Sequence, residues 1–396
     1  MAGKKKDPKI LGLVPADEET KSPKKGLKAL ISELNRDPKF RSHNSITLGS
    51  DLKDYEVIPS GILRLDYALG VGGFPRGKIV QIYGNESSWK STVCMRTVAQ
   101  AQKMGGQCAW FDAERSFDKR WAQTNGVDLD NIAIIEPDTM EDCLNTIEKM
   151  ARAGVDVIVL DSLAALAPHK EMYSDDNKAV KQPLDKEGMA LAARLWSKWF
   201  RQAPGYIAKN GSLFMIINQL RSSLSPYGNP VAVPGGKAVA YYNSITINLK
   251  RVTAKDGQVI DSVTKQVIGG HYNFTIEKTK FGVIGNGGQF KVVGKTVDNF
   301  TTLKDIGIQV GLIEKINTSN YLVNGEKING AGNVEIYIAK QPEYAKELEK
   351  QIRERMGFNV PEVLGEYSTD AEYESVDDET LQNLENVDDI EDTDEE

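Results

Sequence analysis

The segment Gly84-Asn85-Glu86-Ser87-Ser88-Trp89-Lys90-Ser91 constrains this chain more than any other. It follows an apolar run, Ile79-Val80-Gln81-Ile82-Tyr83, that reads as a buried strand, and it opens a helical stretch from Ser91 to Met104. A strand that passes through a short polar loop straight into a helix presents backbone N–H groups and a helix N-terminus to one point, which attracts phosphate. Lys90 would reach the β- and γ-phosphates, and the Ser91 hydroxyl would ligate Mg²⁺, with Thr92 next on the same helical turn. Three more apolar runs, Cys108-Ala109-Trp110-Phe111, Val157-Ile158-Val159-Leu160 and Leu213-Phe214-Met215-Ile216-Ile217, alternate with helical stretches such as Met140 to Ala153. That alternation requires a mostly parallel sheet covered by helices on both faces, an α/β class.

The strand ending in Asp161-Ser162 carries a carboxylate to the carboxyl edge of such a sheet, beside the loop, where it can hold the metal's water shell. Trp89 is unusual, because a glycine normally precedes the lysine of such a loop. Where that backbone requires positive φ, tryptophan costs about 1–2 kcal/mol relative to glycine. The simplest expectation is that the loop absorbs this cost and the indole packs outward.

Charge is unevenly spread along the chain. The net charge is −7, yet the last 31 residues, from Glu366, hold 15 acidic residues and no Lys or Arg, leaving 49 basic against 41 acidic in the first 365. A basic body with an acidic tail is a common layout for nucleic-acid binders, since the tail competes with phosphate for the basic surface. No apolar run is long enough to span a membrane, and the Lys-rich start leads into no apolar core of a signal peptide, so a cytoplasmic protein is expected. Cys94, Cys108 and Cys143 lie far apart and match no metal spacing, and with three histidines a zinc site is not expected.

Five segments follow from the pattern. Residues 1–25 read as a disordered basic N-terminus. Residues 26–60 read as an amphipathic helix (Leu27, Leu30, Ile31, Leu34) and a linker suited to docking on a neighbouring subunit. Residues 61–295 form the main α/β core, and 296–360 a small α+β region ending in a charged helix from Gln341 to Met356. Residues 361–396 are an acidic tail with no expected structure.

The run Ala68-Leu69-Gly70-Val71-Gly72-Gly73-Phe74-Pro75-Arg76-Gly77-Lys78-Ile79-Val80, the Glu86-Ser87-Ser88-x-Lys90 loop, Phe111-Asp112-Ala113-Glu114, and Val155 through Leu166 closely resemble the bacterial RecA recombinase family. The resemblance extends from about Leu27 to Gly357 and implies a RecA-type ATPase core that uses ATP and Mg²⁺. It aligns Glu114 with the carboxylate that activates the attacking water, and Asp118 and Trp121 with the adenine contact and the aromatic that covers the base. Gln219 aligns with the sensor of the γ-phosphate. Lys278 and Lys280 align with lysines that reach a neighbouring subunit's ATP. Read from composition alone, the two lysines would be solvated charges on a strand edge.

The same resemblance implies two DNA-binding loops, 171–187 and 221–236. After the first, Arg194, Ser197 and Arg201 are spaced i, i+3, i+7, so one helical face offers two cations and a hydroxyl to phosphate. The second, Arg221 to Gly236, is rich in Ser, Pro and Gly and is not expected to pack as an element. Gly235 and Gly236 would admit a phosphate to the backbone, while Met189 and Leu224 align with side chains that wedge between base triplets. The first loop is longer than usual and carries Lys178, Lys181 and Lys186. Ala240 and Thr246 stand where the family usually has Lys and Arg near the subunit interface, which implies a different interface geometry and cooperativity with the same core chemistry. An aromatic before the loop lysine is also reminiscent of T4-like phage recombinases.

The activity implied is filament formation on single-stranded DNA, pairing with duplex DNA and strand exchange in recombination, repair and the SOS response to DNA damage. Single-strand-binding and loader proteins are the implied partners. Two other readings compete: a ring helicase on the same core, and a DNA scaffold that binds ATP but barely hydrolyses it, with Trp89 as the cause.

Overall fold

The computed structural model describes residues 26–38, 46–51, 54–173, 187–222, 231–232, 234–261, 264–282, 284–361, 364–365 and 367. The chain divides into two units, residues 1–54 and 55–396. In the first, helix α1 (Leu27–Arg36) carries the expected apolar stripe, but none of its residues is buried, and Leu27 is 63% exposed. Asn35 Nδ2 donates to the Ile46 carbonyl at 3.0 Å.

The second unit begins with a ribbon in which β1 (Val57–Ile58) pairs antiparallel with β2 (Phe74–Pro75), flanking helix α2 (Leu63–Ala68). The large sheet follows. Its strands β3 (Ile79–Gly84), β4 (Cys108–Asp112), β5 (Ile132–Ile135), β6 (Val157–Asp161) and β7 (Leu213–Gln219) are all parallel to their neighbours. All four apolar runs read from sequence are buried strands of this sheet. After a two-residue hairpin, β8 (Arg221–Ser222) with β9 (Val231–Ala232), the chain adds β10 (Ile245–Arg251) parallel to β3. It then continues antiparallel through β11 (Gln258–Ile260), β12 (Val267–Lys278), β13 (Gly287–Val293) and β14 (Thr296–Asp298). The order is β14-β13-β12-β10-β3-β7-β6-β4-β5, with β11 on β12. The antiparallel extension adds a feature that the alternating strand–helix pattern does not foretell.

Helices cover both faces, as the buried strands β3, β4, β6 and β7 require, while the edge strand β5 stays partly exposed. On one face α3 (Lys90–Lys103) and α4 (Lys119–Thr124) pack over a core that includes Val80, Ile82, Val93, Val98, Ile247 and Leu249. On the other, α5 (Met140–Ala153) covers Phe111, Ile158 and Phe214, beyond the short α6 (His169–Met172) and with α7 (Glu187–Phe200), α8 (Ala203–Asn210) and α9 (Gly236–Tyr242). The ends of α5 follow from its sequence. Thr139 caps the first turn by accepting from Asp142 N at 3.1 Å, acidic Glu141 and Asp142 face the positive end of the dipole, and Gly154 at φ 87° stops the helix.

A third apolar cluster lies in the C-terminal region. Helices α10 (Phe300–Gln309), α11 (Ala331–Lys340) and α12 (Pro342–Arg355) join the small sheet β15 (Glu314–Lys315), β16 (Asn320–Val323) and β17 (Glu326–Asn329), together with Leu63 and Tyr67 of α2. A buried charge cluster ties α12 to the core. Arg353 donates to Glu349 Oε1 at 2.8 Å and to the Gly72 carbonyl at 2.7 Å, and it lies 3.5 Å from Asp66. Glu349 in turn accepts from Tyr367 Oη at 2.7 Å and Gly365 N at 2.8 Å. The expected acidic tail, residues 361–396, lies outside the described residues apart from 361, 364, 365 and 367.

Candidate functional site

Strand β3 ends between β10 and β7, with Gly84 alongside Leu249 on one side and Gln219 on the other. Glycine is required there: a Cβ would stand 2.1 Å from the Leu249 carbonyl oxygen. The loop then folds on itself. Ser88 Oγ and Lys90 Nζ each donate to the Asn85 carbonyl at 2.7 Å, and Ser87 and Trp89 both take positive φ, 56° and 73°. Helix α3 starts at Lys90 with no side-chain cap, so its first N–H groups are left for an external acceptor. Lys90 is buried, and that burial lowers its pKa against the opposing pull of Asp161 and Glu114. A buried cation without a carboxylate in direct contact suits an anionic ligand that supplies the missing charge.

The carboxylates stand across from this loop. Asp161, the last residue of β6, accepts from Ser91 Oγ at 2.8 Å. Burial raises its pKa to about 6, opposed by the Ser91 hydrogen bond. Ser91 and Asp161 offer hard oxygen donors, the chemistry Mg²⁺ takes through one or two protein groups and water. Among the described residues no group of three or more His, Cys, Asp or Glu forms a metal cluster. Glu114 is placed beyond the end of β4 by the hydrogen bonds of Ala113 N and Glu114 N to the Asp161 carbonyl, at 2.7 and 3.3 Å. Its Oε1 accepts from Gln219 Nε2 at 2.7 Å and also from Ser162 Oγ.

A cavity of about 340 Å³ opens on the other flank of the loop, lined by Ser87 to Thr92, Trp121, Arg251 and Tyr272. Asp118 caps α4 by accepting from Arg120 N and Trp121 N at 2.8 and 3.1 Å, and Trp121 Nε1 donates to Thr92 Oγ1 at 3.1 Å, which fixes the indole against α3. The outward packing expected for Trp89 is not what the structure has. The backbone does take the left-handed conformation, but the ring turns inward and is half-buried, 5.2 Å from Tyr272, 6.0 Å from Phe290 and 6.4 Å from Trp121 between centroids. Aromatic burial offsets the backbone cost, and no rearrangement of the loop is needed.

Loop, carboxylates and sheet order already point one way, and comparison with known families decides it. The family model of the RecA N-terminal domain matches residues 25–290, well over half of the chain. The chain belongs to the RecA family. Its fold is the RecA-type core, extended by the C-terminal α+β region.

In this RecA-type core the residues aligned with DNA contacts are partly visible. Arg194 and Ser197 are exposed on one side of α7, whose opposite side buries Trp196, Trp199 and Phe200, and Arg201, also exposed, lies just past the helix end rather than on it. Ser197 Oγ and Arg201 Nε bond back to the Ala193 and Ser197 carbonyls. Leu224 and the side chains of Met189 and Arg221 lie outside the described residues, as do residues 174–186, with Lys178, Lys181 and Lys186, and 223–230. The second loop was not expected to pack as an element, yet its base does: Arg221 pairs with Ala232 and Ser222 with Val231. Gly235, at φ 96°, precedes Gly236 and starts α9; a Cβ there would meet Val239 at 2.5 Å. Asn218 Nδ2 holds the Pro234 carbonyl at 2.7 Å, so both ends of this loop are tied to the tip of β7, next to Gln219.

Lys278 and Lys280 stand in different settings. Lys278 Nζ donates to the carbonyls of Ala240 and Tyr241 at 2.6 and 3.0 Å and to Asn243 Oδ1 at 3.0 Å, capping the C-terminus of α9, while Lys280 is exposed. Burial and the neighbouring Lys280 both lower the Lys278 pKa. The sequence reading missed Ser162, Arg251 and Tyr272. Ser162 adjoins Asp161 and was within reach of the motif. Arg251 and Tyr272 meet only because β10 pairs with β12, and nothing local marks them.

Proposed function

We propose that this RecA-family chain is a DNA-dependent ATPase that assembles helical filaments on single-stranded DNA and catalyses homologous pairing and strand exchange. The observation that carries this reading is the 2.7 Å hydrogen bond from Gln219 to Glu114. In this reading Glu114 would be the carboxylate that activates water beside a loop-bound γ-phosphate, and Gln219 is two residues from the first strand of the second loop. One side chain therefore links the group that would activate water to the segment that would meet DNA.

In this reading ATP lies along the loop, with Lys90 and the α3 N-terminus holding its phosphates and Trp121 covering the base. Ser91 and Asp161 would hold Mg²⁺, which supplies positive charge to the phosphate oxygens. A γ-phosphate draws Gln219 off Glu114, freeing the carboxylate to take a proton from water and moving the root of the DNA loop. Lys280, and Lys278 once it leaves α9, add positive charge from a neighbouring subunit, so that hydrolysis requires assembly. Arg194, Ser197, Arg201 and the 221–236 loop hold the DNA backbone, α1 docks on the adjacent subunit, and residues 296–360 gather duplex. Base pairing, not the protein, reads sequence.

The test is steady-state ATP hydrolysis with and without single-stranded DNA, for the natural chain and for Gln219→Ala. Strong stimulation in the natural chain, lost in the variant, is expected. No stimulation of either would overturn the filament ATPase. Stimulation appearing only in Trp89→Gly would instead favour the DNA-scaffold reading, which the strained aromatic in the loop motivates.

A further inference from the structure

Arg251 belongs to no site assigned so far, yet its position is defined on every side. Strand β10 runs parallel to β3 with Leu249 beside Gly84, so Arg251 stands two residues past the point where the phosphate loop leaves the sheet. Ile245, Ile247 and Leu249 are buried in the core beneath α3, and the two-residue period of a strand puts Arg251 on that same side, where the core ends and the cavity begins. The antiparallel register with β12 sets Tyr272 opposite it. The Tyr272 ring is pinned between Phe290, at 5.5 Å and 16° between planes, and Trp89, at 5.2 Å. Arg251 is exposed and makes no hydrogen bond or ion pair to a described residue, while it lines the cavity shared with Ser87 to Thr92. A guanidinium facing a ligand-sized cavity opposite a helix N-terminus suits an anion.

We propose that Arg251 is a further nucleotide-binding residue, donating to a phosphate oxygen of the nucleoside triphosphate held by the Gly84–Ser91 loop. Trp89 and Tyr272 act as the positioning residues that aim it. This rests on reading the cavity as the nucleotide site. It also gives Trp89 a purpose: the ring that a glycine would lack fills the space between the loop and β12 and fixes the wall on which Arg251 stands. The pocket then holds two cations from the same subunit, Lys90 beneath the loop and Arg251 at its flank.

The experiment is calorimetric titration of the full-length chain, without DNA, with ATP and Mg²⁺, with ADP and with adenosine, for Arg251→Ala, Arg251→Lys, Trp89→Phe and Lys90→Ala. Losing one charge-assisted hydrogen bond should weaken ATP binding by roughly 10- to 100-fold in Arg251→Ala. Arg251→Lys should recover part of that loss, Trp89→Phe, which keeps an aromatic ring on the wall, should weaken ATP binding less than Arg251→Ala does, and adenosine should bind Arg251→Ala and Arg251→Lys as it binds the natural chain. ATP affinity unchanged in Arg251→Ala would overturn the proposal. So would an equal loss for adenosine and ATP, because a phosphate contact cannot weaken a ligand without phosphate. Lys90→Ala separates the two layers. If it abolishes ATP binding while Arg251→Ala does nothing, only Arg251 is wrong; if it too binds ATP normally, the nucleotide site itself is wrong.

Discussion

At the scale of single residues, Trp89 shows two opposed terms of similar size. Its left-handed backbone costs about 1–2 kcal/mol, whereas a half-buried indole against three aromatic rings contributes more than that. Trp89→Gly should therefore destabilise the protein, by about 1–3 kcal/mol in urea unfolding; a gain in stability would mean that strain outweighs packing. Glu114 presents the opposite case, an exposed carboxylate held by two donors rather than buried. Glu114→Gln keeps the shape and removes the proposed base, so kcat for ATP hydrolysis should fall by about 10²- to 10⁴-fold with KM nearly unchanged. The identity of these residues was readable from the motif. The direction of the indole was not, because it depends on Tyr272 and Phe290, which are more than 180 residues away in the chain.

At the scale of elements, α12 is fastened to α2 by charges that water does not reach. Arg353, Asp66 and Glu349 are each about 1% exposed, so truncating the arginine leaves the Glu349 carboxylate and the Asp66 carboxyl buried without their cation. Arg353→Met should cost about 3–5 kcal/mol in thermal or denaturant unfolding, far more than loss of an exposed ion pair such as Arg152 with Glu148. The cluster also has a pH signature. Burial, opposed by Arg353, lifts the Asp66 pKa from 3.8 to about 7. A carboxyl raised on folding binds its proton more tightly in the native state, so its contribution is full below about pH 4 and is lost as pH rises towards 7. The stability of the natural chain relative to Asp66→Asn should decline across that window and level off above it, as followed by urea unfolding at a series of pH values. The Gln341–Met356 helix was legible from its charged amphipathic pattern, and the observed α12 matches it within a residue at each end. Its buried arginine looked like any other charge on that helix.

At the scale of the whole molecule, the sheet collects functional groups at one edge. Lys90 and Ser91 follow β3, Glu114 follows β4, Asp161 ends β6 and Gln219 ends β7, all at the carboxyl ends of parallel strands. The helix that carries Arg194 and Ser197, with Arg201 just past its end, comes after β6 in the chain, and the second loop follows β7, so the residues proposed to meet DNA grow out of the same layer. Binding through phosphate contacts should depend steeply on salt. Arg194→Ala should weaken binding of single-stranded oligonucleotides of unrelated sequence alike and reduce the slope of log K against log salt by about 0.7, measured by fluorescence anisotropy. An effect confined to one sequence would mean that Arg194 contacts bases instead.

The amino-acid sequence by itself determined the α/β class, four buried strands and the strand–loop–helix passage at Gly84–Ser91, together with most of the groups proposed to act around it. Those signals are local: a two- or four-residue period, a loop composition, a carboxylate at a strand end. Tertiary structure alone decided which distant groups meet. Gln219 reaches Glu114 across 105 residues, Arg353 reaches Gly72 across 281, and Arg251 faces Tyr272 only through strand pairing. The antiparallel extension that brings β12 beside β10 also turned Trp89 inward. Packing of this kind depends on the register between strands far apart in the chain, and no period within a single strand encodes it.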